Sequence, residues 1–231
     1  MLHPWNLTPN EAIALQHTLR DRLVLKWDER PVATVGGVDV SVKADIARAA
    51  VVVLRYPDLA PLHSATAEAP ITFPYIPGLL AFREIPVILE AWEKLTPKPD
   101  LVMVDGQGIA HPRGMGIAAH LGLWIDRPTI GVAKSRLYGK HAEPGPDKGE
   151  HALLYDERDP RRVIGAVLRT KDSVNPVYVS PGHLIDLEHS LRFVLACAIH
   201  YRLPEPTRWA HNVGAGQKLP IEDEPQQPRL F

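Results

Sequence analysis

Leu101-Val-Met-Val-Asp105-Gly-Gln-Gly108 is a short apolar run that ends in a carboxylate and a glycine-rich turn. An earlier stretch has the same design: Pro31-Val-Ala-Thr-Val-Gly-Gly-Val-Asp39. Between them lies Phe82-Arg-Glu84, just before Pro86. A carboxylate at the C-terminal end of a buried strand is costly unless something satisfies it. Two or three converging carboxylates repel one another unless a cation sits among them. All-oxygen ligation with room for water suits Mg²⁺ or Mn²⁺, and such a site is well suited to phosphodiester hydrolysis. The alternative reading makes Asp39 and Asp105 a pair of strand-end aspartates that cap nearby helices.

Working outward from the two runs gives an α/β chain. Residues 9–26 read as a helix, with Thr8 as N-cap and Glu11 completing a capping box. Val32–Ser41, Arg48–Tyr56 and His63–Ile71 read as strands, with a hairpin turn over Val42–Ile46, and together form an antiparallel meander. Pro77–Leu95 is helical but holds Pro86, which removes a backbone donor. The expectation is a short helix before it and a longer one starting near it. Leu101–Val104, Gly114–Trp124 and Thr129–Ala133 then form a strand–helix–strand unit, which implies parallel pairing. Val163–Thr170 and Val177–Ser180 read as a hairpin and Leu184–Tyr201 as a closing helix. The expected architecture is a mixed sheet flanked by helices on both faces, with one catalytic domain over residues 1–213. Residues 214–231 are polar and Pro-rich and read as a mobile tail.

With 231 residues, 45% of them hydrophobic, the chain can bury the core of one large domain. Its apolar runs are too short to span a bilayer, and the N-terminus has no secretory pattern. A single cysteine, Cys197, cannot form an internal disulfide and reads as a small core residue. Cytoplasmic residence follows as the expectation. The formal net charge of −1 gives no global sign of nucleic-acid binding. Local clusters exist at Lys134, Arg136 and Lys140, and at Arg158, Arg161, Arg162, Arg169 and Lys171. The second cluster reads as solvated surface charge.

The motifs narrow the reading. Val38-Asp39, Phe73-Pro-Tyr-Ile-Pro-Gly78, Ala81-Phe-Arg-Glu84, Asp105-Gly-Gln-Gly108, His111-Pro-Arg113 and Gly131-Val-Ala-Lys-Ser-Arg136 occur in that order. Val179-Ser-Pro-Gly-His183 and Pro206-Thr-Arg208 with His211 follow. As an ordered set, from about Leu7 to His211, they resemble the Endonuclease V family. The resemblance implies a ribonuclease H-like fold, with the first strand beside the fourth so that Asp39 and Asp105 are neighbours. It implies that Asp39, Glu84 and Asp105 hold Mg²⁺, with Mn²⁺ able to substitute, beside the scissile phosphate.

Pro74 and Pro77 stiffen the loop that presents Tyr75. The residues alone favour a rigid lead-in with Tyr75 packed inside. The resemblance implies instead a wedge of Pro74, Tyr75, Ile76 and Pro77 that assists base flipping. Gly78, Leu80, Gly106 and Gly108 are then candidates for the base pocket, because glycines let backbone amides approach a ligand. Hypoxanthine needs a donor to its O6 and an acceptor for its N1–H. For Gly114 and Gly116 a turn and a helix start fit at least as well. Lys134 and Ser135 follow the last core strand, where Lys134 could meet a backbone phosphate. His111 and His211 are candidates for phosphate contact or proton transfer. Any single histidine in a chain with 11 is more often structural, but His211 has the stronger case of the two, because it follows the polar Pro206-Thr-Arg208 segment of the family's closing motif. His183 is expected to cap or pack the final helix.

The implied function is that of a DNA repair endonuclease acting on deoxyinosine in single- or double-stranded DNA. It would flip the base and cut the second phosphodiester on the 3′ side, leaving a 5′-phosphate. Alternatives are a structure-selective nuclease of the same fold, an inosine-RNA endonuclease, and a nucleic-acid-binding module without catalysis. The intact carboxylates argue against the last. The final residues, with Gln227, Leu230 and Phe231, resemble the short peptides that dock repair proteins on a sliding clamp; chance occurrence is the competing reading.

Overall fold

The computed structural model describes residues 2–221. Its elements run α1 (Pro9–Arg20), β1 (Thr34–Lys43), β2 (Ile46–Arg55), β3 (Pro61–Pro70), α2 (Leu80–Glu93), β4 (Leu101–Val104), α3 (Ile117–Ile125) and β5 (Thr129–Ala133). β6 (His151–Tyr155), β7 (Val163–Leu168), β8 (Val177–His183), α4 (Leu187–Cys197) and α5 (Glu205–Gly214) complete the chain. One eight-stranded sheet has the order β3-β2-β1-β4-β5-β8-β7-β6. The meander and the parallel pairs β1–β4 and β4–β5 are as expected.

The central strands are buried on both faces, which is why they read as continuous apolar runs. Ala50, Val52 and Leu54 of β2 face one core with Leu101 and Met103; Ala49, Val51 and Val53 face the other with Val102 and Val104. Phe193, Val194 and Cys197 of α4 and Ala210 and Val213 of α5 cover the first face. Ile85, Ile88 and Trp92 of α2 and Ile117 and Leu121 of α3 cover the second. Cys197 is a core residue as expected, and burial pushes its thiol up to about 12.

Several boundaries differ from the sequence reading. Pro86 lies inside a single helix, α2, and does not divide it. The lost backbone bond is offset by burying Phe82, Ile85, Val87, Ile88 and Trp92. α1 has the expected capping box but stops at Arg20, where Asp21 caps it. The β1–β2 turn is only Ala44-Asp45, both at positive φ, the geometry that suits two-residue hairpins. α3 begins at Ile117, three residues after Gly114, and α4 ends at Cys197, well before Tyr201. β6 was not anticipated, nor was α5. Arg169 is buried and not solvated: its guanidinium donates to the carbonyls of Gly145, Pro144 and Val174. His183 accepts from the Val24 amide, while Asp186 caps α4.

The expected tail boundary falls at the end of α5, and Leu219 beyond it is buried in the core. Gln227, Leu230 and Phe231, named above for clamp docking, lie outside the described residues. No helix among the described residues is long and apolar enough to cross a membrane.

Candidate active site

β1 and β4 run parallel with Val38 opposite Val104, so the next residues, Asp39 and Asp105, emerge side by side. The Asp105 amide donates to the Val38 carbonyl at 3.0 Å, which locks that register. Burial raises the Asp39 carboxyl above the usual range, and the Asp105 charge adds to the shift; a hydrogen bond from His211 opposes both. Glu84 reaches the same place from α2. Burial first, then the charges of Asp39 and Asp105, push its carboxyl up to about 8. Among the described residues, no hydrogen-bond or ion-pair partner holds Glu84.

The three acids are near enough to repel, yet among the described residues no three His, Cys, Asp or Glu side chains gather at metal-ligating spacing. Asp105 Oδ2 instead receives Lys134 Nζ at 2.5 Å, and Asp39 Oδ2 lies 3.0 Å from His211 Nδ1. The three carboxyls share one field, while oxygens of Asp39 and Asp105 alone meet partners on neighbouring elements.

Lys134 follows β5 directly, and Arg202 donates to its carbonyl at 2.7 Å. His211 comes from α5, whose first turn presses on the sheet at Gly37. A Cβ added at Gly37 would lie 1.9 Å from the Pro206 carbonyl oxygen, so only glycine permits this approach.

Beside the acids opens a cavity of about 350 Å³. Asp105 belongs to both. Tyr75, Ile76, Pro77, Gly78 and Leu80 form one wall, Gly106 and His111 another, and Lys134 and Ser135 a third. Tyr75 is 71% exposed at the rim, so the packed alternative for it is excluded. Pro74 is exposed outside the cavity lining. Gly108 is not part of the lining either; it is buried, its amide donates to Ser180 Oγ at 2.8 Å, and the Pro181 carbonyl packs on it. Gln107, Met115, Ile117, Arg136 and Leu137 also line the cavity and were missed. Gln107 lies within the Asp-Gly-Gln-Gly motif, which was the available signal.

One carbonyl organises the wall. Gly78, at φ +80°, accepts from Arg113 Nη2 at 2.7 Å, His111 Nε2 at 2.9 Å and Gln16 Nε2 at 3.0 Å. His111 Nδ1 accepts from the Arg113 amide, so the ring proton sits on Nε2. Burial, then the Arg113 charge, lower the His111 ring to about 4. With both nitrogens engaged and the ring neutral, His111 braces the wall. A free phosphate contact, as expected for it, would require breaking those bonds.

Strand-end carboxylates on a ribonuclease H-like sheet, with a lysine and a histidine turned on them beside a cavity of nucleobase size, define a nuclease. The family model for Endonuclease V matches residues 17–212, and the chain belongs to that family of endonucleases. It is 50% identical over 218 residues to Endonuclease V of Trichormus variabilis, covering 93% of this chain and 97% of that one. Among solved structures, Endonuclease V of Streptomyces avermitilis superposes with a TM-score of 0.86 at 42% identity, covering 92% of this chain and 93% of that one. Ciona intestinalis Endonuclease V, at 27% identity and a TM-score of 0.79 over 91% of this chain and 98% of that one, was solved with DNA containing an inosine followed by a ribo-adenosine.

Proposed function

We propose that the protein is a cytoplasmic DNA repair endonuclease that accepts deoxyinosine in its cavity and hydrolyses the second phosphodiester on the 3′ side of it. The observation that carries this reading is the double position of Asp105, which lines the cavity and belongs to the acid cluster. A base seated in the cavity therefore places its own strand across the carboxylates. Tyr75 at the rim fills the gap left by the extracted base. Gly78, Leu80 and Gly106 offer backbone groups to a flat ring.

The donor set fits a hard divalent cation: three mutually repelling carboxyls, all oxygen, with Glu84 unpaired. Bound by Asp39, Asp105 and Glu84, Mg²⁺ or Mn²⁺ would polarise the phosphoryl oxygens and acidify a water. Lys134 supplies positive charge at the phosphate, and His211 fixes the proton inventory of Asp39. Ser135 borders the strand path next to Lys134.

The test is cleavage of matched duplexes carrying one deoxyinosine or one deoxyadenosine, with and without Mg²⁺. Selective nicking 3′ of inosine only with metal is the expected result. Equal nicking of both would favour a structure-selective nuclease. A second reading, an inosine-RNA endonuclease, is favoured by the ribonucleotide in the DNA bound to the Ciona relative. An RNA strand with one inosine in the same assay decides between them.

A further inference from the structure

Tyr75 and Tyr201 are the only aromatic side chains among the exposed large hydrophobics of the described residues. Tyr75 stands at the cavity rim. Tyr201 is 54% exposed and lies in the loop between α4 and α5. That loop is tied down along its length. Lys148 Nζ donates to the Ala198 carbonyl at 2.6 Å, Lys171 Nζ to that of His200 at 3.2 Å, and Thr170 Oγ1 to that of Arg202 at 2.6 Å. Arg202 in turn donates to the carbonyls of Lys134 and Pro176 at 2.7 and 2.9 Å. The Arg208 guanidinium of α5 lies 4.6 Å from the centre of the Tyr201 ring and 4.5 Å from that of Trp209, so a cation backs the ring. Leaving a large ring in water forgoes the gain of burial. Held in place by its loop, the ring offers a stacking surface that costs little entropy to occupy.

We propose that Tyr201 stacks on a base of the substrate strand beyond the cut, on its 3′ side, so that the cleaved phosphate is gripped from both directions. This placement rests on the cut 3′ of deoxyinosine proposed above. The sheet supplies the direction. Ala81 of α2 and Ile117 of α3 line the cavity and belong to the second core face. α4 and α5 cover the first face, where Leu203 and Trp209 pack close to Tyr201 in sequence. Asp39 and Asp105 stand between the two, where the β1–β4 pairing ends. A strand that leaves its base in the cavity and crosses the acids therefore arrives on the α5 side, where Tyr201 is the exposed ring. Lys134 marks the same route. It lines the cavity, its Nζ meets Asp105, and its carbonyl is held by Arg202, the chain neighbour of Tyr201. Every base has a face to stack on, so this grip reads no sequence. The competing role for Tyr201 is a clamp that only steadies Arg208 and α5.

The experiment measures KM and kcat of the full chain with Mg²⁺ on single strands carrying one deoxyinosine, scoring only the product cut 3′ of it. One strand has ordinary nucleotides beyond the cut. In the other those nucleotides are abasic, which keeps the phosphates and removes the bases. The unmodified chain should show the lower KM on the first strand. Tyr201→Ala should raise KM on that strand by on the order of 10-fold with kcat unchanged, and so erase the difference between the strands. Tyr201→Phe keeps the ring and should retain the difference. A difference undiminished in Tyr201→Ala overturns the proposal. An equal rise in KM on both strands overturns it as well, since Tyr201 would then act only through Arg208 and α5. If the unmodified chain makes no cut at deoxyinosine, the deoxyinosine reading fails and takes this placement with it.

Discussion

His211 Nδ1 and Asp39 Oδ2 lie 3.0 Å apart across 172 residues of sequence. The last helix thus reaches back to the first strand, and its hydrogen bond counters the burial and repulsion that raise the Asp39 carboxyl.

Replacing His211 by Ala should cut single-turnover cleavage on the order of 100-fold. The imidazole is 58% exposed, so the melting temperature should barely move. A large drop in thermal stability with full activity would mean that His211 is structural.

Asp39→Ala, Asp105→Ala and Glu84→Gln should each abolish cleavage. Without divalent metal the two Asp variants should not lower stability, because each removes charge from a repelling set, and Glu84→Gln should leave it unchanged near neutral pH, where a carboxyl pushed up to about 8 is already protonated. Paired melting curves and nicking assays check both halves. Retained metal-dependent cutting by the two Asp variants would remove them from the centre.

Tyr75→Ala should weaken binding to an inosine duplex more than to an inosine single strand, where nothing has to be pulled from a stack. The lost stacking should cost roughly 1–3 kcal/mol. Equal losses on the two substrates would rule out a wedge.

Stability should fall with acid through two histidines. Burial is the first cause at both; it lowers His111 to about 4 and His120 to about 3, against an ordinary 6.5. The unfolded chain therefore takes up protons that the folded chain refuses. The stabilising effect is complete above about pH 6.5 and is lost as pH drops toward 4 for His111 and toward 3 for His120. For His111 the effect is at most about 3 kcal/mol. Chemical denaturation from pH 7.5 to 4.5 should show this slope, and His111→Gln should flatten part of it.

Gly37→Ala should displace α5, since the new methyl would strike the Pro206 carbonyl oxygen. Cleavage should fall together with a loss of stability of roughly 1–3 kcal/mol. A variant as stable and as active as the parent would show that α5 can shift without consequence.

The parts of this molecule that could be read from its sequence are those set by local chemistry. β4 and β5 are apolar on both faces, and their bounds match the reading residue for residue. Asp39 and Asp105 declared themselves by ending such runs. β6 did not, because only Leu154 in it is buried and the strand sits at the sheet edge. α5 opens with Glu-Pro-Thr-Arg and puts few apolar residues into the core, so it had little helical signature. The brace on Gly78 was hidden for another reason. Gln16 is 62 residues from it and Arg113 is 35, and nothing local announces that their side chains meet on one carbonyl.

The close seat of Pro206 on Gly37 also sets an order in time. A ribosome adds roughly 5–20 residues per second. Asp39 therefore emerges roughly 10–30 s before His211, which follows it by 172 residues. Through that interval the nascent chain carries its acids without the helix that tunes them. A polypeptide released early, short of α5, is expected to hold no working nuclease, so unfinished copies pose little hazard to nucleic acid nearby. Stalled nascent chains ending before residue 205, assayed for nicking, put that safeguard to the test.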